Sequence, residues 1–290
     1  MAMQRLAFVW TTLGIGFAAA PAVADTYSMP RLGEIMSEQG SSSWPKMDWL
    51  YDVPSATDAA GKIVVLWFCG PKVKTCADDL AHLVALKESG KVYIVAYIDG
   101  GKSAALKLDP INGSEGVGKG TVAYGRNVGN VTKSFGLTAP LSVVLDVDGK
   151  VALLEAGSTA TAFESRDAKV SSLAAAIKEY SWSANDPKTS GAGEKFTLAI
   201  TVKLARWLKY GNTTPMTFAF TQLPKDFKCD AKALTADQIK IEGQTATASV
   251  SCSAPLGSYE ARGEIHFSYD APGGGTGLGT EGAAWKLVVK

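Results

Sequence analysis

Six apolar residues in a row, Ile63 to Phe68, run into Cys69 and are broken by Gly70-Pro71. A short run that is apolar at every position and bounded by turn residues fits a strand buried on both faces. Lys72, Lys74 and Thr75 follow, then Cys76, and then Leu80, Leu83 and Leu86 on a shared helical side. A buried strand that turns into the start of a helix is a common place for chemistry. The helix start offers free backbone N–H groups and the positive end of the dipole, and both stabilise a thiolate.

The order after Gly61 alternates strand and helix. Strand Ile63–Phe68 leads to helix Cys76–Glu88, and strand Val92–Ile98 follows Ser89-Gly90. A Gly-rich segment spans Gly100–Gly125, and a short helix is expected around Asn127–Phe135. Strand Leu141–Asp146 turns through Asp148-Gly149 into strand Val151–Glu155, a hairpin pattern. Val170, Leu173, Ala174, Ile177 and Tyr180 recur at helical spacing and predict a helix over Ser165–Tyr180. Residues 183–194 hold Asn185, Asp186, Pro187, Ser190, Gly191 and Gly193, the composition of a linker.

Beyond the linker the period becomes two. Phe196, Leu198, Ile200, Val202 and Leu204 alternate with polar or small residues. So do Met216, Phe218 and Phe220, then Ala246, Ala248, Val250 and Cys252, then Tyr259 to Tyr269, and finally Trp285, Leu287 and Val289. About five or more alternating strands without a helix predict an antiparallel sandwich, immunoglobulin-like in kind. The expected organisation is an N-terminal extension over 25–58, an α/β unit over 59–182, the linker 183–194 and a separate all-β immunoglobulin-like sandwich over 195–290.

Phe68-Cys69-Gly70-Pro71-Lys72 at the end of a strand, together with Ala139-Pro140 before a later strand, resembles the thioredoxin superfamily. The resemblance covers about Gly61–Tyr180. In that family a Cys-x-x-Cys opens the first helix and a cis-proline loop lies against it. Here Lys72 stands where the second cysteine would be, and Cys76 is the nearby partner. The resemblance implies a thioredoxin-like fold and a thiol-disulfide oxidoreductase. Cys69 would be the attacking thiolate, Cys76 the resolving thiol and Pro140 the residue that orients a substrate chain. Lys72, Lys74 and Thr75 would support the thiolate. The second unit resembles, in architecture and context, the sandwich domains attached to bacterial periplasmic thiol-disulfide proteins.

Two local structures are open for the first two cysteines. If the helix begins near Pro71, Cys69 and Cys76 are about 10.5 Å apart along its axis, too far to bridge. If Thr75 caps the helix with Asp78 as its third-position partner, residues 70–75 loop and a 69–76 bridge can close. An oxidising compartment favours paired thiols and hence the second structure. The favoured pairing is 69–76 with 229–252, each pair local in sequence, with Cys229–Cys252 as a structural bridge. A non-catalytic adaptor whose disulfides are structural only is the alternative function.

Export is expected from Arg5, the stretch Leu6–Ala20 and Ala22-Val23-Ala24, with cleavage at Ala24/Asp25 removing residues 1–24 as a signal peptide. Cleavage takes Arg5 from the 29 basic side chains and no acid, leaving 28 of each sign. That balance gives no reason to expect nucleic acid or an anionic membrane as partner. The expected partners are periplasmic protein substrates or a redox partner protein, and no stretch of the mature chain is suited to span a bilayer. No cofactor is called for. Gly113–Thr121 looks like a phosphate-binding loop, but no buried strand precedes it, and Gly120 follows Lys119 where Ser or Thr is needed. Cys69, Cys76 and His82 do not make a metal set, and Met29, Met36 and Met47 are better read as packing residues.

Overall fold

The computed structural model describes residues 47–50, 56–70, 73–107, 122–125, 132, 140–157, 159–187 and 191–290. The leader with its cleavage site, Lys72, the segment 113–121, Ala139 and most of the helix expected around Asn127–Phe135 lie outside the described residues.

The first unit is built on β2 (Ile63–Cys69), whose seven residues are all buried. Parallel strands β3 (Val92–Asp99) and β4 (Val122–Gly125) lie on one side of it, and antiparallel β5 (Leu141–Leu145) and β6 (Val151–Ala156) on the other. The two-residue strand β1 (Asp48–Trp49) closes the β4 edge, so the sheet order is β1-β4-β3-β2-β5-β6. Side-chain alternation divides β2 between two cores. Ile63, Val65, Trp67 and Cys69 join one apolar cluster with Leu83, Val170 and Ala174. Val64, Leu66 and Phe68 join the other with Tyr97, Leu141, Val143 and Leu145. A parallel βαβ unit followed by an antiparallel hairpin is the thioredoxin-like arrangement.

Helices α1 (Ala56–Ala59), α2 (Thr75–Glu88), α3 (Lys102–Leu106) and α4 (Ala160–Ala175) belong to this unit. None of the helices among the described residues is long and apolar enough to cross a membrane. The start of α2 differs from the expected capping box. Lys74, itself in helical geometry, is the N-cap residue and makes no side-chain cap bond. Two successive turns, Val73 N–H to Gly70 O at 3.0 Å and Cys76 N–H to Val73 O at 3.1 Å, wind the chain into the helix. The Gly-rich segment holds more structure than its composition suggests, since it supplies α3 and β4. The last helix lies earlier than its periodicity predicts. Thr159 caps it by accepting from Ala162 N–H, and it ends at Ala175.

The second unit is a sandwich of two antiparallel sheets. One orders β12 (Ala233–Leu234), β10 (Thr217–Gln222), β15 (Gly257–Asp270) and β16 (Thr276–Val289), with β9 (Lys209–Tyr210) against β15. The other orders β11 (Lys228–Cys229), β14 (Thr245–Ser253), β8 (Lys195–Leu204) and β7 (Tyr180–Ala184), with β13 (Lys240–Glu242) against β14. The inward residues are those that alternate in the sequence: Leu198, Ile200 and Val202 share a core with Phe218, Phe267 and Trp285.

Strand β7 crosses the junction expected at 182/183. Tyr180–Ala184, expected at the end of a helix and the start of a linker, pair with β8 from Tyr180↔Leu204 to Ala184↔Ile200. Asn185 extends the ladder, its side chain accepting from Ala199 N–H at 2.7 Å and donating to Thr197 O at 2.8 Å. It also accepts from the buried Trp285 indole at 3.2 Å, tying this edge to the facing sheet. Tyr180 makes a second tie by packing edge-on against Phe267 and donating to Glu281 at 2.8 Å. These contacts hold the segment in the sandwich rather than in a helix.

Candidate redox site

Cys69 ends β2 on the face covered by α2 and α4, and Cys76 is the second residue of α2. The two are joined by a disulfide with Cα atoms 6.2 Å apart. The bridge is part of the apolar core between sheet and helices: Cys69 is 0% exposed and Cys76 3%. A thiolate released at Cys76 would stand in the first turn of α2, where the helix dipole favours negative charge.

Pro140 precedes β5, which pairs with β2 at Leu141↔Phe68. Leu141, the residue after Pro140, thus stands opposite Phe68, the residue before Cys69. The Pro140 carbonyl accepts from Gly157 N–H at 2.9 Å, which fixes the entry to β5. Lys74 is exposed, and Thr75 is the half-buried first residue of α2. The other bridge joins Cys229 and Cys252, which stand opposite one another on β11 and β14. It links neighbouring strands of one sheet rather than the two sheets.

One turn along α2 from Cys76 is a charged group that apolar periodicity does not single out. Arg166 on α4 is 1% exposed and donates to Asp79 Oδ2 on α2 at 2.7 Å. The same Nη1 lies 3.4 Å from Ser142 Oγ on β5, two residues beyond Pro140. Nε and Nη2 both donate to Asp167 Oδ1, at 2.9 and 2.8 Å. Asp167 Oδ2 is 2.9 Å from His82 Nδ1 on the outer side of α2. Burial works against the guanidinium charge, but the hydrogen bonds and charges of Asp79 and Asp167 outweigh it and hold Arg166 above its ordinary value. Asp79 is also buried, and its Oδ1 has no hydrogen-bond partner among the described residues.

A sequence signal for this group does exist. Cys76, Asp79 and Leu83 share the inward side of α2, and Phe163, Arg166, Val170 and Ala174 share that of α4. An acid on one apolar stripe and a base on the other mark two helices that face each other. His82 is exposed and belongs to this network; among the described residues no group of three or more His, Cys, Asp or Glu is placed to hold a metal ion.

No protein-family model matches the chain, and no curated protein matches it by sequence. Solved structures do align with its first unit. Those similar to it include MTB dsbF in mixed oxidized and reduced forms, 21% identical over 44% of this chain and 92% of its own, with a TM-score of 0.34. A secreted Mycobacterium tuberculosis disulfide oxidoreductase homologous to E. coli DsbE is 17% identical over 41% and 88%, at 0.33. A thiol-disulfide isomerase from Corynebacterium glutamicum is 16% identical over 43% and 90%, at 0.36. At such identities and scores they say nothing of the chemistry, which rests on this chain's own residues.

Proposed function

We propose that the chain is an exported thiol-disulfide oxidoreductase that exchanges disulfides with partner proteins of the periplasm through Cys69 and Cys76. The observation that carries the reading is the bridge itself, which joins the end of the central strand to the first turn of the following helix. The pairing of Leu141, which follows Pro140, with Phe68, which precedes Cys69, supports it. In the reduced protein the Cys69 thiolate attacks a partner disulfide, forming a mixed disulfide and expelling one partner thiolate. The Cys76 thiolate then attacks the Cys69 sulfur, restores the bridge and releases the second partner thiolate. Two electrons pass to the partner, and its thiolates take up two protons. The reverse sequence oxidises a partner dithiol. Pro140 orients the partner chain, Lys72, Lys74 and Thr75 support the thiolate, and the second unit, an immunoglobulin-like sandwich, recruits partners.

The burial of both cysteines favours a second reading, a non-catalytic adaptor in which the bridge is structural. Trapping separates the two. In cells exporting the full chain, Cys76→Ser is expected to accumulate reductant-sensitive adducts with other proteins, and Cys69→Ser to give none. Adduct-free Cys76→Ser would leave the adaptor.

A further inference from the structure

Two consecutive residues of α4 hold two residues of α2 that lie one turn apart. Arg166 takes Asp79 at 2.7 Å, and Asp167 takes His82 at 2.9 Å. Arg166 also reaches Ser142, so α2, α4 and β5 meet at one guanidinium. The interlock sits one turn beyond Cys76, on the helix that carries it. With Cys69 at 0% and Cys76 at 3% exposure, a partner protein reaches neither sulfur in this arrangement.

We propose that Arg166 is a positioning residue for exchange at Cys69–Cys76: through Asp79 it holds the first turns of α2 over the bridge, and release of this clamp bares a sulfur to the partner. The inference rests on the exchange reading above. With the clamp open, a partner thiolate attacks one protein sulfur, the S–S bond breaks, and the other sulfur leaves as a thiolate that takes up a proton. The partner's second thiol, losing its proton, then displaces the attacked sulfur. The protein gains two electrons and two protons, and the partner becomes a disulfide.

The test follows reduction of both bridges in the oxidised full chain by dithiothreitol under native conditions, with alkylation and mass spectrometry. Cys229–Cys252 serves as the internal reference. Arg166→Met is expected to accelerate reduction of Cys69–Cys76 most. Arg166→Lys, which keeps a charge for Asp79 but loses the fork to Asp167, should accelerate it about tenfold, the equivalent of one charge-assisted hydrogen bond. His82→Ala, at the exposed end, should accelerate it about threefold, in keeping with a weaker surface pair. The reference bridge should keep its rate throughout. Low concentrations of urea should leave the accelerated rates unchanged, the mark of a local opening. Rates that climb with urea in step with global unfolding would mark a merely structural residue and overturn the clamp. Unchanged rates at Cys69–Cys76, or equal acceleration of both bridges, would also overturn it. If the Arg166 variants do not fold, His82→Ala decides alone. Rates in the expected order without any partner adducts would retain the clamp and reject exchange; adducts with flat rates would do the reverse.

Discussion

Arg166 lies between two carboxylates, Asp79 and Asp167, with its guanidinium sealed from water. Removing one partner of a buried pair leaves the other charge uncompensated, which costs more than the pair contributes. Arg166→Met is therefore expected to destabilise the first unit by about 3–5 kcal/mol. The double variant Asp79→Leu/Arg166→Met should recover most of that loss, and urea unfolding of both variants checks it. Tyr210 gives a pH-dependent counterpart in the second unit. Burial pushes its phenol up to about 12, and its hydroxyl donates to Val202 O at 2.8 Å. The unfolded phenol ionises near its ordinary value of about 10. Between those values the folded state binds the extra proton. The stability present below about pH 10 is thus lost as pH rises towards about 12. Tyr210→Phe should flatten that alkaline loss in pH-dependent unfolding. The inward Asp79 and Arg166 were legible only as a conflict, a charge on each of two apolar stripes. Periodicity counts apolar positions, so it does not register opposite charges that satisfy one another across helices.

Strands were legible where burial was uniform or strictly alternating, as in β2 and β8, because each pleat position has one environment. The short elements were not. In α3 and β4 the surrounding glycines masked the periodicity, and β7 carries the alternating pattern over only five residues, Tyr-Ser-Trp-Ser-Ala. The cysteine pairing was legible because each pair is local in sequence, whereas the helix start between Cys69 and Cys76 is set by backbone turns rather than by a cap residue. Strand β16 shows a further constraint that alternation alone does not state. Gly279 stands opposite Phe267, and a Cβ there would overlap that ring; Gly277 has the same relation to Tyr269. Gly282, opposite Glu264, has its nearest atom at 3.6 Å, an ordinary contact. Gly279→Ala should cost about 1–3 kcal/mol through overpacking, while Gly282→Ala should lie within about 0.5 kcal/mol of the parent. Thermal or urea unfolding of the two variants side by side makes the comparison.

At the scale of the molecule, the change of period marks two architectures, and we propose that their junction lies before β7. Composition marks 183–194 as a linker, yet β7 and Asn185 are bonded into the sandwich. We expect a fragment beginning at Glu179 to fold. A fragment beginning at Lys195 lacks β7, the Tyr180–Phe267 contact and the Asn185–Trp285 bond, and exposes the edge of β8. It should be less stable by roughly 2–4 kcal/mol, the scale of losing an aromatic contact with its hydrogen bonds. Urea midpoints of the two fragments decide the matter, and equal midpoints would restore the later boundary.

Only Ala176 to Glu179 separate the end of α4 from the first residue of β7. Four residues span at most about 14 Å when fully extended. If the sandwich recruits partners, as we propose, a partner seated on it is held at a local concentration set by that short span rather than by its abundance in the surrounding solution. Its encounter with the disulfide becomes an intramolecular event, whose frequency is written into the length of the junction.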